Sequence, residues 1–256
     1  MMKKRSVVLL AVIALVLAGC SSGGDGDSGN GDTASQAEKE NEEQVPLGDE
    51  ALYEQAVEDA VFAEESEILP LVTLTKEDEM TTWDEQGRVL LCTWHNYPES
   101  YPQGEKVKLE WGQVWAFTDK EMASHADELE DAEDPKMRLS QMIGFAPDSE
   151  HSTVTEFWVD PSDVCRPAYQ NDPADGSMKT AFEEDVDEEF KEWFDENTLD
   201  SYFYGSSPWT RLGYTYDWAD NGTEYGLTEF LIDQGAEVEV EFTGSTEDFL
   251  ERILEG

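Results

Sequence analysis

Residues 208–218 read Pro208-Trp209-Thr210-Arg211-Leu212-Gly213-Tyr214-Thr215-Tyr216-Asp217-Trp218. Four of these eleven residues are aromatic, and the run holds one of the few arginines in an acidic chain. Tyr214, Tyr216 and Trp218 fall on alternate positions, which is the period of a β-strand with one aromatic face. Gly213 predicts a bulge or a close backbone approach just before them. Such a face must be covered either by the core of the protein or by a ligand.

The pattern around this strand mixes helices and strands without regular alternation. Asp220-Asn221-Gly222 is a turn signal, so the aromatic strand is predicted to pair with residues 227–233 as a hairpin. Residues 236–243 alternate apolar side chains with glutamate, which predicts an edge strand with a negative outer face. Further strands are predicted at 71–75, 89–95, 107–111, 114–118 and 153–159, and helices at 48–68, 118–129, 135–143, 181–204 and the C-terminus. The sequence therefore predicts an α+β domain with a mainly antiparallel sheet packed by helices.

The first twenty residues contain the most specific motif of the chain. A basic segment at residues 3–5 precedes an apolar segment at 7–17, which is shorter than the roughly 20 residues that a membrane-spanning helix needs. Leu17-Ala18-Gly19-Cys20 follows, and together these features resemble the lipobox of bacterial lipoprotein precursors. The resemblance implies a signal peptide at residues 1–19 and a lipid joined to Cys20, which becomes the mature N-terminus. It also implies a place at the cell membrane, facing the outside of the cytoplasmic membrane.

Residues 20–46 are rich in glycine, serine and acidic residues and have almost nothing to bury. This composition predicts a flexible, acidic tether that carries the lipid at its first residue. Residues 47–256 contain the periodic apolar patterns and are predicted to form one globular domain. The expected order is therefore signal peptide, lipidated tether and folded domain.

The charge of the chain restricts its partners. It has 60 acidic and 16 basic residues, for a formal net charge of -44 at pH 7. Nucleic acid is excluded as a partner on this basis, because phosphate binding needs clustered lysine and arginine. Cations, basic proteins and neutral ligands such as glycans remain as candidates. The same charge also keeps an exposed surface hydrated and soluble without any specific ligand.

The aromatic run supplies the first candidate site. Trp209, Arg211, Tyr214, Tyr216 and Trp218 could form a ligand-binding surface, or they could belong to an aromatic core. An arginine among such residues either pairs with a buried acid, for which Asp217 is the neighbouring candidate, or anchors a ligand carboxylate. The sequence alone leaves both alternatives open.

Calcium is the metal that the sequence favours, and no other cofactor is expected. Its candidate ligands lie in one loop and are Asp217, Asp220, Asn221 and Glu224. A second acidic loop spans residues 171–175. Hard oxygen ligands on a turn suit Ca²⁺. Neither loop has the spacing of an EF-hand, so the clusters could also arise by chance in a chain with this many acids.

Cys92 and Cys165 could form a disulfide outside the cytosol, or they could be two buried thiols. Cys92 and His95 lie three positions apart on a predicted strand, so their side chains should face opposite ways and not form a nucleophile and base. The chain has no Gly-x-Ser-x-Gly, His-Glu-x-x-His or P-loop motif. Asp217 or Glu156, each close to tryptophan, could still act in glycoside hydrolysis.

Four blocks of the predicted domain, at residues 134–144, 156–167, 208–218 and 226–232, resemble a group of bacterial secreted or lipid-anchored proteins of uncharacterised function. The resemblance implies no active site. The favoured hypothesis is a lipid-anchored protein of the cell envelope that works as a non-catalytic binding or interaction module. The alternative hypothesis is a glycan-directed envelope hydrolase that uses acidic residues beside the aromatic run. The sequence does not specify the oligomeric state.

Overall fold

A computed structural model describes residues 47–255, so the predicted signal peptide, lipidation site and tether lie outside the described residues. The helices are α1 (Asp49–Asp59), α2 (Asp119–Ala123), α3 (Ala126–Asp131), α4 (Pro135–Met142), α5 (Glu188–Leu199) and α6 (Thr246–Glu255). The strands are β1 (Val89–His95), β2 (Lys106–Lys108), β3 (Val114–Thr118), β4 (Thr153–Val159), β5 (Val164–Cys165), β6 (Tyr214–Tyr216), β7 (Tyr225–Thr228), β8 (Phe230–Ile232) and β9 (Glu237–Ser245). The predicted α+β class is confirmed.

Seven of the strands form one sheet in the order β2-β9-β4-β1-β3-β8-β5, and every neighbouring pair is antiparallel. β1 lies at its centre and pairs with β4 along its whole length. All seven residues of β1 are buried, because both faces of the sheet are covered. β9 was predicted to be an edge strand, but it lies second from the edge because short β2 pairs with its first residues.

The two faces of the sheet have different covers. On one face Cys92, Trp94 and Phe117 pack in a core with residues of α2, α3, α4 and α6. On the other face Leu91 and Phe157 pack in a second core with strand residues and loop residues such as Leu74 and Leu109. Helices α2, α3, α4 and α6 therefore lie on one side of the sheet, and irregular segments cover the other.

Side-chain caps determine where several helices begin. Asp134 accepts a hydrogen bond from the N–H of Met137 and precedes Pro135, a residue suited to the first turn of α4. Asp187 caps α5 by accepting from the N–H groups of its first turn. The helix predicted at 181–204 therefore starts later than expected, and its last part is the π-helical segment Asp200–Gly205.

The predicted hairpin forms around the turn at residues 220–222, but its second strand is Tyr225–Thr228 and does not continue to residue 233. β6 pairs with β7 in a separate two-stranded sheet, whereas β8 pairs with β3 in the large sheet. The chain thus crosses from one sheet to the other at Glu229, whose N–H donates to the carbonyl of Gly213. Gly213 has a φ of +84°, so the predicted irregularity before the aromatic strand is confirmed.

Both predicted partners of a disulfide are free thiols in the structure. Cys92 lies on β1 and Cys165 on β5, and β3 and β8 separate these strands in the sheet. Three strand spacings amount to about 14 Å, far beyond the reach of a disulfide. Of the two alternatives the structure excludes the disulfide, and the free thiol of Cys92 is buried in the core whereas that of Cys165 is partly exposed.

A glycine fixes the contact between β7 and α4. A Cβ atom on Gly226 would overlap the carbonyl oxygen of Met142 and approach Thr215. We expect Gly226→Ala to lower the free energy of unfolding by about 3 kcal/mol, because the backbone must move to make room. Urea denaturation of the full chain measures this, with Gly48→Ala as the control, since a Cβ on Gly48 meets open space. Equal losses in the two variants would contradict the close packing.

Candidate functional site

Two neighbouring cavities lie beside the crossing at Glu229. Their volumes are about 260 Å³ and about 410 Å³. Five residues line both cavities, so the two form one continuous depression that we call the aromatic cleft. These shared residues are Trp115, Ile143, Phe145, Thr215 and Glu229.

Aromatic rings from distant parts of the chain form the walls of the aromatic cleft. Trp115 on β3 is 38% exposed, and its ring centroid lies 5.9 Å from that of Trp209 in an edge-to-face arrangement. On the other side, Phe145 stacks on His151 at 4.4 Å and on Trp94 at 5.6 Å. Because Trp115 faces the helical side of the sheet but is only partly covered, its ring offers apolar surface to a ligand.

Glu229 is the only carboxyl group that lines the aromatic cleft within the described part of the chain. The residue is 5% exposed. Its Oε1 accepts a hydrogen bond of 3.0 Å from Nε1 of Trp209, and its Oε2 has no hydrogen-bond partner among residues 47–255. Burial raises the pKa of Glu229 well above its ordinary value, although the Trp209 hydrogen bond and the charge of Arg166 act in the other direction.

The histidines of the aromatic cleft are held neutral. Nδ1 of His95 accepts a hydrogen bond from the N–H of Tyr97, so the neutral ring carries its proton on Nε2. That Nε2 lies 2.8 Å from Oγ1 of Thr155. Burial lowers the pKa of His95 to about 4, and it also lowers the pKa of His151. No lysine or arginine of the described chain lines either cavity, so Glu229 is the group there that can carry a charge at neutral pH.

The predicted aromatic surface is mostly core. Trp209, Arg211, Tyr214 and Trp218 are buried, and only Tyr216 of the five is partly exposed. The guanidinium of Arg211 donates to the carbonyl groups of residues 60 and 61. An open ligand platform made of these five residues is therefore not formed, although Trp209 and Tyr216 contribute to the wall of the aromatic cleft.

Asp217 forms a buried ion pair, but its partner is Arg138 on α4 and not the neighbouring Arg211. Nη1 of Arg138 donates to Oδ1 of Asp217 at 2.9 Å, and Nη2 contacts Oδ2. The N–H of Ala219 and Nδ2 of Asn221 also donate to the Asp217 carboxylate. These bonds occupy the oxygens of Asp217, which is therefore not free to bind calcium or to act as an acid in hydrolysis.

The predicted calcium ligands do not come together as a set. Within residues 47–255, one group of three acidic side chains has ligand atoms within 4.8 Å of one another, and it consists of Asp59, Glu67 and Glu224. We call it the acidic cluster, and it lines a separate cavity of about 580 Å³. Asp220 lines the same cavity without joining the group.

The acidic cluster has the ligand chemistry of a divalent cation site, since carboxylate oxygens suit Ca²⁺. The hydroxyl of Tyr216 donates to Oδ2 of Asp59 and that of Tyr214 to Oε1 of Glu224, each at 2.8 Å. Burial, followed by the neighbouring negative charges, raises the pKa of Glu67 and of Glu224. Of the predicted ligands only Glu224 belongs to this cluster.

Two other predicted candidates have structural partners. In the second acidic loop, Asp172 and Asp175 accept hydrogen bonds from N–H groups two residues later, which closes local turns. Glu156 is buried on β4, where Nη2 of Arg252 lies 3.3 Å from its Oε2. Glu156 lines neither cavity of the aromatic cleft.

The place of Glu229 in the site, and its position beside Trp115 in the lining of the aromatic cleft, were not predicted from the sequence. The signal for Glu229 is present, because it is the single charged residue in the run Gly226-Leu227-Thr228-Glu229-Phe230-Leu231-Ile232. A charged residue in a buried run requires a special environment. The approach of Trp115 to this position could not be found, since it depends on the pairing of β3 with β8.

The ion pair between Arg138 and Asp217 can be tested by stability. We expect Arg138→Met to lower the free energy of unfolding by about 3 kcal/mol, because it leaves the Asp217 carboxylate buried without its counter-charge. Lys191→Met is the matched control, since the Lys191 pair with Glu188 is on the surface and should be worth less than about 1 kcal/mol. Urea unfolding of the full chain gives both values, and a loss in Arg138→Met no larger than in the control would contradict the buried pair.

The raised pKa of Glu224 in the acidic cluster predicts that replacing its carboxyl group stabilises the protein by an amount that depends on pH. The pKa of Glu224 is raised in the folded state, so folding loses stability as the pH rises above the ordinary glutamate value of about 4.3. We expect Glu224→Gln to be more stable than the native chain by roughly 0.5 kcal/mol near neutral pH and to lose this advantage near pH 4. Glu251→Gln, on the exposed side of α6, should show no such trend. Urea unfolding at the two pH values tests this, and a gain that is independent of pH would contradict it.

Comparison with known proteins gives no assignment for this chain. No protein-family model matches it, and neither a curated protein nor a solved structure matches it. None of the helices in residues 47–255 combines the length and the apolar character needed to cross a bilayer. The aromatic cleft and the motif around Cys20 are therefore the two features of the chain that bear on its function.

Proposed function

We propose that the chain is a lipid-anchored protein of the bacterial cell envelope and that its folded domain is a non-catalytic binding module. The motif Leu17-Ala18-Gly19-Cys20 supports the anchor. The observation that carries the binding role is the aromatic cleft, a concave site with apolar walls and one buried carboxyl group. Ligand sites of small molecules commonly combine these features.

The chemistry of the aromatic cleft favours binding over hydrolysis. Glycoside hydrolysis uses two carboxyl groups separated by about 5 to 9.5 Å. Glu229 is the only one among the described residues that line the cleft, and Asp217 is held by Arg138. Cys92 is buried, and burial together with the nearby Glu156 raises the pKa of its thiol well above the ordinary value, which opposes a thiolate nucleophile. His95 is neutral and bonded on both nitrogens, so it has no free atom to act as a base.

The anchor has a direct test. We expect the full chain, expressed in a bacterium fed a labelled fatty acid, to carry the label, and Cys20→Ser to lose it, because the thiol of Cys20 is the proposed attachment atom. Cys165→Ser is the control, since Cys165 lies in the folded domain, and it should keep the label. Label that persists in Cys20→Ser would contradict lipidation at this residue.

The binding role has a separate test. Saturation-transfer NMR on the detergent-purified full chain can screen neutral sugars and small organic cations for binding. We expect at least one class to bind and Trp115→Ala to reduce its affinity about tenfold or more, because a large part of the cleft wall is lost. Trp111→Ala is the control, since Trp111 is an exposed tryptophan outside the aromatic cleft. Binding that Trp111→Ala weakens and Trp115→Ala does not would place the site elsewhere.

A further inference from the structure

We infer that the aromatic cleft binds an organic cation, with a substituted ammonium group against Oε2 of Glu229 and its alkyl groups against Trp115 and Phe145. This inference depends on the proposed binding role of the cleft and assigns its ligand class. It is carried by three features of the site, which are an unpartnered buried carboxyl group, aromatic walls and the absence of basic residues in the described lining.

The carboxyl group of Glu229 has one hydrogen-bond partner among the described residues, and its second oxygen is not among the fully buried atoms that lack a partner, so it is open to the aromatic cleft. The one hydrogen bond comes from Trp209. An ionised carboxyl group in such a place is costly unless a counter-charge lies against it. A bound cation would supply that counter-charge, whereas an anionic ligand would be repelled.

Arg166 does not supply that counter-charge through a direct bond. Its Nη2 donates to the carbonyl oxygens of Val72, Pro173 and Asp175. Its Nε and Nη1 are buried without a hydrogen-bond partner, so neither contacts Glu229. The other titratable groups in the lining of the aromatic cleft are His95, His151, Tyr97, Tyr101 and Tyr216, and Tyr202 lies near enough for the charge of Glu229 to affect it. Burial lowers the pKa of both histidines and raises the pKa of Tyr101, Tyr202 and Tyr216, so these groups are uncharged at neutral pH.

The lining of the aromatic cleft favours an organic cation over a metal ion. Calcium takes six to eight oxygen ligands, and the aromatic cleft offers one carboxyl group among apolar rings. A substituted ammonium instead is attracted to aromatic faces, and most strongly to tryptophan when the cation has lost its water. The alkyl groups of such a ligand also match the apolar surface of Trp115, which a hydrated metal ion would not.

The net negative charge of the whole chain also favours a cationic ligand. A net charge of -44 produces a negative potential that raises the local concentration of cations near the protein. Steering of this kind does not select among cations. Selection comes from the aromatic cleft, because only a ligand that loses its water readily can fill a site with few polar groups.

An organic cation and a neutral sugar predict opposite effects of pH. A cation binds to ionised Glu229, so its binding releases a proton and its affinity rises with pH until the carboxyl group is fully ionised. A neutral hydroxylated ligand would use protonated Glu229 as a hydrogen-bond donor, so its affinity would fall over the same range. His95 titrates at about pH 4, below the range of interest.

The experiment compares choline with 3,3-dimethylbutan-1-ol, the uncharged carbon analogue of the same shape. Titration calorimetry of the full chain in detergent, in two buffers of different ionisation heat, measures both affinity and proton release. We expect choline to bind at least about tenfold more tightly than the alcohol and to release a proton over the pH range in which Glu229 is still protonated. We expect Glu229→Gln to reduce choline affinity to that of the alcohol, and Glu251→Gln, on the exposed side of α6 and outside both the aromatic cleft and the acidic cluster, to leave it unchanged.

The outcomes separate this inference from the proposed function. N-acetylglucosamine is titrated as a third ligand, a neutral sugar. If the alcohol or this sugar binds as tightly as choline, and Trp115→Ala abolishes that binding, the cleft is a binding site for neutral ligands and the cation assignment is wrong. If none of the three binds, both proposals fail. Proton release is measured on the native chain at several pH values, so the test stands even if Glu229→Gln does not fold. Choline binding without proton release, and with an affinity that does not rise with pH anywhere in this series, would overturn the role of Glu229.

Discussion

The chain passes from the small sheet to the large sheet at a single residue, and this crossing determines the position of the aromatic cleft. Thr228 pairs with Tyr214 in the small sheet, and Phe230 pairs with Ala116 in the large one. Between them, the N–H of Glu229 is held by the carbonyl of Gly213. The side chain at the crossing is positioned by backbone pairing on both sides, so its place does not depend on hydrogen bonds to both oxygens of its carboxyl group.

Two buried glutamates, Glu121 and Glu229, differ in how many hydrogen bonds their carboxyl groups accept. Glu121 on α2 accepts hydrogen bonds from the hydroxyl of Tyr225 and from both the N–H and the hydroxyl of Thr228, so its oxygens are satisfied by the fold. Glu229 lies one residue beyond Thr228 and has only the indole of Trp209. A satisfied buried acid stabilises the fold that holds it, whereas an unsatisfied one lowers stability unless a ligand completes it. This contrast separates a structural acid from a recognition group.

The sequence was sufficient for the fold class and for strands such as β1 and β4, but residues 71–75 do not form the predicted strand, and the partners of individual side chains could not be predicted. The apolar run of β1 and the alternation in β3 and β4 predict strands because both are local patterns. The aromatic period of β6 shows that its side chains share a face, yet it does not reveal what covers that face. Arg211 is bonded to carbonyl groups about 150 positions earlier in the chain, and Asp217 to an arginine 79 positions away. Such pairings arise from the order of the strands, which no local pattern encodes.

The acidic cluster and the aromatic cleft surround their carboxyl groups differently, so they suit different cations. In the acidic cluster three carboxylates share a cavity with solvent, so a hard cation could keep part of its water while it binds oxygen. In the aromatic cleft a single carboxyl group lies among rings, so a ligand must give up its water to reach it. The negative electrostatic potential of the protein attracts metal ions and alkylammonium ions alike. Because an alkylammonium ion loses its water at lower cost, we expect it, and not a metal ion, to bind at Glu229. Selectivity therefore follows from the surroundings of the carboxyl groups and not from their number.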